Sequence, residues 1–239
     1  MSRLPAPAIG AASGDPRLAA LENEVAACRR CPRLVAWREE VARVKRASFA
    51  HEPYWGRPVP GFGDPTARVY VLGLAPAAHG GNRTGRVFTG DRSADWLLAA
   101  MHRAGLANQP TSRHRDDGLA LIDCFIGAAV RCAPPANRPT PAERDACLPF
   151  AARELALLER VRVVVCLGAF AWDAALRLRP GAVPRPRPRF GHGAELPGPP
   201  WTVLGCFHPS QQNTFTGRLT EGMMEAVLAR ARAIAQVGF

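Results

Sequence analysis

Four cysteines pose the first chemical question. Cys28-Arg-Arg-Cys31 is a C-x2-C pair, and Cys132 and Cys147 form a second, wider pair. Four soft thiolates can hold one tetrahedral zinc ion or an iron–sulfur cluster. They can equally be four buried thiols, since the wide second spacing fits neither a zinc finger nor a ferredoxin run. Cys124, Cys166 and Cys206 fall in apolar runs, where a thiol packs as a small hydrophobe. Seven cysteines and no apolar leader of export type argue against a disulfide framework.

Two further constellations could act on a ligand. The stretch from Gly73 to Asp91 carries glycines at 80, 81, 85 and 90, polar side chains at His79, Asn82, Arg83 and Thr84, and one aromatic, Phe88. Glycines let backbone approach a ligand closely, and an aromatic ring can stack on a flat base. It is not a phosphate-cradling P-loop, because no Gly-Lys-Ser/Thr follows. The second is Cys206-Phe-His208-Pro-Ser-Gln-Gln-Asn213, where an imidazole leaves a turn stiffened by Pro209 and could donate to a developing anion. Asn213 follows within hydrogen-bonding reach. His51, His102, His114 and His192 read as ordinary surface or loop residues.

The elements that must position these groups alternate. Asp15-Pro16 opens a helix carrying Leu18, Leu21 and Val25 towards Cys28. Strands are expected over 67–72, 119–125, 161–167 and 201–206. Helices are expected over 94–104, from the Thr140–Glu143 capping box towards Arg160, over 169–178, and along the stripe from Met223 to Ala235. The fold class is α/β, a three-layer α/β/α arrangement with a central, mostly parallel sheet of about four strands. Such sheets bind ligands at the carboxyl ends of their strands. The loops after Leu72, Phe125 and Cys206 are therefore the expected site. Pro184-Arg-Pro-Arg-Pro-Arg189 should be an extended basic connector.

The chain of 239 residues carries 31 Lys+Arg against 20 Asp+Glu, a net charge of +11, and only one lysine, Lys45. A GC-rich codon bias explains arginine over lysine but not the excess of positive charge, which suits a polyanion such as nucleic acid. The longest uncharged apolar run, between Arg162 and Asp173, is too short for a bilayer. A soluble, cytoplasmic, monomeric single domain over 1–239 is expected, with 1–14 flexible and the 28–147 span supplying the cysteine ligands.

Together these motifs resemble the uracil-DNA glycosylase superfamily, and within it the iron–sulfur family 5 (type B) branch. The matching pieces are the segment from Tyr54 to Pro65, the Gly73–Asp91 loop, Arg131-Cys-Ala-Pro-Pro-Ala-Asn-Arg138 and the His208–Asn213 turn. The resemblance runs in order from about Cys28 to the C-terminus. It implies removal of uracil from DNA, double-stranded DNA being the expected partner, with hydroxymethyluracil or hypoxanthine as further bases. It implies that Cys28, Cys31, Cys132 and Cys147 hold a [4Fe–4S] cluster. It implies that His208 stabilises the departing base anion and that Phe88 stacks on the flipped base. Gly73, Ala75 and Ala77 would bond the base edge, with His79 and Asn82 beside it, and Asn213 would hold the extruded strand. The branch's first motif reads Gly-Leu-Ala-Pro-Ala here, with no polar side chain to position water. Asp91 and Asn137 are the substitutes, although Asp91 reads equally as a helix N-cap. With one lysine outside every motif, no amine is placed for a Schiff base, so a monofunctional enzyme leaving an abasic site is expected. Two other classes compete. A non-catalytic nucleic-acid module with a structural metal held by the four cysteines leaves the His208 turn and glycine loop unused, and an iron–sulfur redox protein makes the charge accidental.

Overall fold

The computed structural model describes residues 15–181 and 183–237, so the expected flexibility of 1–14 lies outside the described residues. Six strands, β1 (Phe62–Gly63), β2 (Val69–Gly73), β3 (Cys124–Ala128), β4 (Val163–Leu167), β5 (Glu195–Leu196) and β6 (Thr202–Cys206), form one sheet ordered β1-β3-β2-β4-β6-β5. The inner four are parallel, with Val69 opposite both Cys124 and Val163, and Val163 opposite Thr202. The expected four-stranded centre is present. β1 and β5 add antiparallel edges of two residues each, too short to leave a period in the sequence.

Among the described residues, eight α-helices surround it: α1 (Pro16–Ala27), α2 (Pro32–Val44), α3 (Gly81–Thr84), α4 (Arg92–Arg103), α5 (Pro141–Leu157), α6 (Ala169–Leu178), α7 (Gln211–Phe215) and α8 (Glu221–Gln236). The strand period of two divides the core. Val69 and Val71 pack with Leu97, Leu98 and Met101 of α4 and Met224, Val227 and Leu228 of α8. Tyr70 and Leu72 face the other way, onto Leu148 of α5 and Trp172 and Ala175 of α6. Burial on both faces is why these strands read as unbroken apolar runs. The Thr140–Glu143 capping box forms as expected. Cys124, Cys166 and Cys206 are buried in the core, as read.

One element departs from the sequence reading. The strand expected over 119–125 begins only at Cys124, because Asp123 turns left-handed (φ 54°) and interrupts the extended run. Before it, Leu121 makes only an isolated bridge to Ala107. Asp123 instead uses its carboxylate to accept from the Arg68 N–H at 2.9 Å. Helix α2 and the short turns α3 and α7 are additions to the sequence reading. The arginine-proline connector is held to α6, where Trp172 Nε1 donates to Pro188 O at 3.1 Å and Arg187 pairs with Asp173. No helix among the described residues is long and apolar enough to cross a membrane.

Candidate active site and cysteine cavity

β2 ends at Gly73, and a Cβ there would lie 2.8 Å from Cε2 and 3.0 Å from Cζ of Phe88. Glycine is what lets the Phe88 ring close onto the strand end. Phe88 itself sits at φ 46°, a left-handed conformation that costs a bulky residue about 1–3 kcal/mol and persists only when its surroundings hold it. They do. The buried Arg86 donates to Thr89 Oγ1 at 3.0 Å, Ser112 Oγ at 2.9 Å and Asp117 Oδ1 at 2.7 Å, clamping the chain on both sides of Phe88. Gly73→Ala is therefore expected to displace the ring. A misplacement near 1 Å can cost about 10²-fold in rate, so a fall of that order in the rate of the reaction this site carries, with the melting temperature lowered by only a few degrees, is the expected result. Parallel kinetics and thermal melts check it.

The carbonyls of Gly73, Leu74 and Ala77 are taken by the N–H groups of Ala129, Val130 and Asn82. Among the described residues no acceptor takes the N–H of Ala75 or Ala77, which leaves main-chain donors at the strand end. His79 Nδ1 lies 3.1 Å from the Tyr54 hydroxyl, and burial together with Arg46 and Arg83 holds its pKa below the usual imidazole value. Asn82 is fully buried and donates to Arg38 O at 3.2 Å, so its side chain faces α2. Asp91 is the N-cap of α4, its Oδ1 accepting from Ala94 N at 2.9 Å. Its Oδ2 packs against Gly80 in the loop, and burial raises its carboxyl above the ordinary range.

His208 leaves the sheet two residues past the end of β6. Its ring lies 6.1 Å from that of Phe88, tilted by 35°, with Gly168 (φ 93°) packed against its Cβ side. Burial pushes the imidazole pKa down to about 4, so the ring is neutral at physiological pH. The turn is closed by Ser210, the N-cap of α7, and by Asn213, whose Nδ2 donates to His208 O at 2.9 Å. Asn213 thus braces the turn from within. Asn137 is exposed in a left-handed turn (φ 55°) after Cys132.

Cys28, Cys31, Cys132 and Cys147 line one small cavity. Burial pushes the thiols of Cys132 and Cys147 up to about 11 and 12, so a cation is needed to make them thiolates. Two donors aim at the sulfurs: Arg38 Nη1 at 3.0 Å from Cys132 Sγ, and the Arg131 N–H at 3.2 Å from Cys147 Sγ. Arg38 is 2% exposed and its Nε has no partner. A buried guanidinium with a donor to spare fits an anionic, sulfur-rich group. No three metal-ligating side chains among the described residues converge on a single-ion position. Four thiols spread around one cavity are compatible with an iron–sulfur cluster. Next to Cys132, the Arg131 side chain makes a bidentate buried pair with Glu154 at 2.7 and 2.6 Å, and Glu154 also accepts from Tyr70 Oη at 2.6 Å. Ala75 of the glycine loop and Cys31 both pack against the cluster of Leu34, Val130 and Cys132. The cavity and the loop share a wall.

A model of the uracil DNA glycosylase superfamily matches residues 60–232. The chain belongs to that superfamily. It is 56% identical over 229 residues to the type-5 uracil-DNA glycosylase of Mycobacterium tuberculosis (strain CDC 1551 / Oshkosh), covering 95% of this chain and 85% of that protein. It is 53% identical over 220 residues to the type-5 uracil-DNA glycosylase of Thermus thermophilus, covering 90% of this chain and 97% of that protein. A type-4 uracil-DNA glycosylase of Archaeoglobus fulgidus is 36% identical over 114 residues, 47% of this chain and 49% of that protein. As a member of the superfamily, the chain shows three features that its motifs did not announce. Phe215 is 67% exposed on α7, beside the His208 turn, with Arg92 at 4.9 Å over its ring. Tyr54 supports His79. A groove of about 1140 Å³ runs along β1, where Arg57 and Arg115 flank Trp55 at 5.1 and 5.0 Å. Only an exposed aromatic beside a turn carries a sequence signal, and Phe215 had one in its polar neighbours.

Proposed function

We propose that the chain hydrolyses the N-glycosidic bond of uracil in double-stranded DNA, acting as a cytoplasmic, monomeric repair enzyme that leaves an abasic site. The observation that carries this reading is the neutral His208 opposite Phe88, at a strand end lined by free main-chain N–H groups. The target base must leave the stack to be reached, which costs a few kcal/mol and less at a mismatch. Phe88 stacks on the extruded base, and the N–H groups of Ala75 and Ala77 bond its edge. As the glycosidic bond breaks, negative charge grows on the base and the sugar becomes cationic. His208, neutral and therefore still carrying a proton, donates to that anion. Of the two groups proposed for the attacking water, Asp91 is supported by its raised pKa and by the Oδ2 left outside the helix cap, whereas Asn137 has exposure alone. Asn213 serves the extruded strand by fixing the His208 turn, and Phe215 is placed to fill the gap the base leaves.

Recognition through main-chain donors, with Ala75 turned to the cysteine wall, supports a broad substrate range that takes in hydroxymethyluracil and hypoxanthine. The four cysteines hold a [4Fe–4S] cluster in this reading, with Arg38 offsetting its negative charge. The cluster supplies structure; the reaction proceeds on the residues named above.

The test is an end-labelled duplex with one U·G mismatch, incubated with protein whose iron and sulfide content is measured, then treated with hot alkali. A strand break that appears only after alkali, with no borohydride-trapped adduct, is expected. The single lysine, Lys45, donates to Ala50 O at 3.1 Å. No break from cluster-loaded protein would overturn the assignment and favour a non-catalytic DNA-binding module.

A further inference from the structure

We propose that His192 is a positioning residue for His208, acting through the peptide N–H of Phe207. This rests on the glycosylase reading and deepens it. β6 ends at Cys206, and Phe207 lies between the ladder and the catalytic imidazole. On one side the strand end is still tied to β4's loop, since the Gly168 N–H donates to Cys206 O at 2.8 Å. On the other side β5 begins only at Glu195, opposite Leu204, and among the described residues no main-chain carbonyl reaches the Phe207 N–H. The His192 side chain takes that place, its Nδ1 accepting from Phe207 N at 3.2 Å. An imidazole thus extends the ladder by one hydrogen bond, at the residue before His208.

The arrangement around this bond is built to hold it. The loop carrying His192 is clamped to β6 by Gly193 N donating to Gly205 O and Gly205 N donating to Ala194 O, both at 2.8 Å. A side chain at Gly205 would strike the Gly191 carbonyl, so this close approach needs glycine. The His192 ring lies 5.1 Å from that of Phe207, and Phe190 meets Phe207 from another side at 6.0 Å. Because the Phe207 N–H points at Nδ1, that nitrogen acts as the acceptor and the neutral ring carries its proton on Nε2. The Cys206–Phe207 peptide is thus held at both ends, its carbonyl by Gly168 and its N–H by His192, and its orientation sets the direction in which the chain enters His208; a donor must be held closely to act on a developing anion.

The design separates position from packing. An Asn side chain places Oδ1 where Nδ1 stands, while a Gln places its amide near Nε2 and leaves the Phe207 N–H without an acceptor. His192→Ala and His192→Gln are expected to lower the single-turnover rate of base release by about 10-fold with the Kd for an abasic-site duplex unchanged, and His192→Asn to recover to within about 3-fold of wild type. Amide hydrogen exchange of Phe207 should quicken in the Ala and Gln variants and stay slow in the Asn variant. That readout needs no catalysis. Equal rates and equal Phe207 exchange in the Asn and Gln variants would overturn the proposal, and if the Ala variant does not fold, that pair alone decides. A wild-type protein that releases no base would defeat the glycosylase reading, while Phe207 exchange still tests the brace.

Discussion

His208→Ala is expected to slow single-turnover uracil release by about 10²–10³-fold, the range for removing one preorganised donor from a developing anion. Affinity for an abasic-site duplex should hardly change, because the donor acts when charge appears on the base. The half-buried ring sits against Phe88 and Gly168 and is neutral, with a pKa of about 4. A neutral imidazole gives a rate without a His208 limb through neutral pH, and quenched-flow or gel assays across that range check this. The same shift has a stability consequence. The folded value of about 4 lies below the unfolded 6.5, so on acidification the unfolded chain takes up the proton first. His208's contribution is intact above about pH 6.5 and declines as pH falls towards about 4. Acid denaturation of His208→Ala should lack that part of the pH dependence.

Replacing a cysteine of the cavity is expected to strike folding before chemistry. Cys28→Ala or Cys147→Ala should abolish iron and sulfide binding and lower the melting temperature by about 10 °C or more, since each kcal/mol is worth roughly 2–4 °C in a chain of this size and metal-site binding energy is folding energy. The reason is placement. Cys28 and Cys31 bracket the junction of α1 and α2, whereas Cys147 lies on α5 and Cys132 follows β3. In the cluster-bearing reading, loss of a ligand leaves buried thiols with no cation between them, while Arg38 and the Arg131 N–H stay directed at Cys132 and Cys147. The shared wall through Ala75 then carries the disturbance to the glycine loop. Iron and sulfide assays beside calorimetry check this. A Cys28→Ala protein that melts like wild type would show that the thiols are only packing.

Much of this was legible because one physical signal sufficed for each part. Continuous apolar runs marked β2, β4 and β6, and a capping box marked α5. What sequence could not show depended on contacts between distant segments. Asn82 read as a polar residue in a glycine-rich loop, and its Nδ2 donates to Arg38 of α2, 44 positions away, a contact no local pattern announces. Asn213 had the right reach, but the partner it finds is the His208 carbonyl. Asp91 was balanced between cap and chemistry, and its two oxygens divide accordingly, one in the cap and one against the loop. His192 read as a bland loop histidine because its bond to the Phe207 N–H depends on where β5 begins. Asp123 broke the expected strand through a left-handed φ, which an aspartate tolerates and no periodicity reveals.

The two-residue edges of the sheet have a consequence for behaviour at high concentration. β1 is bounded by Pro60 and Pro65, and β5 by Pro197, Pro199 and Pro200, none of which offers an N–H. An incoming chain therefore finds almost no continuous row of unpaired backbone on either side, and strand-by-strand polymerisation has no template to grow from. In an arginine-rich chain, the blunted edges remove strand pairing as a route by which concentrated copies could join.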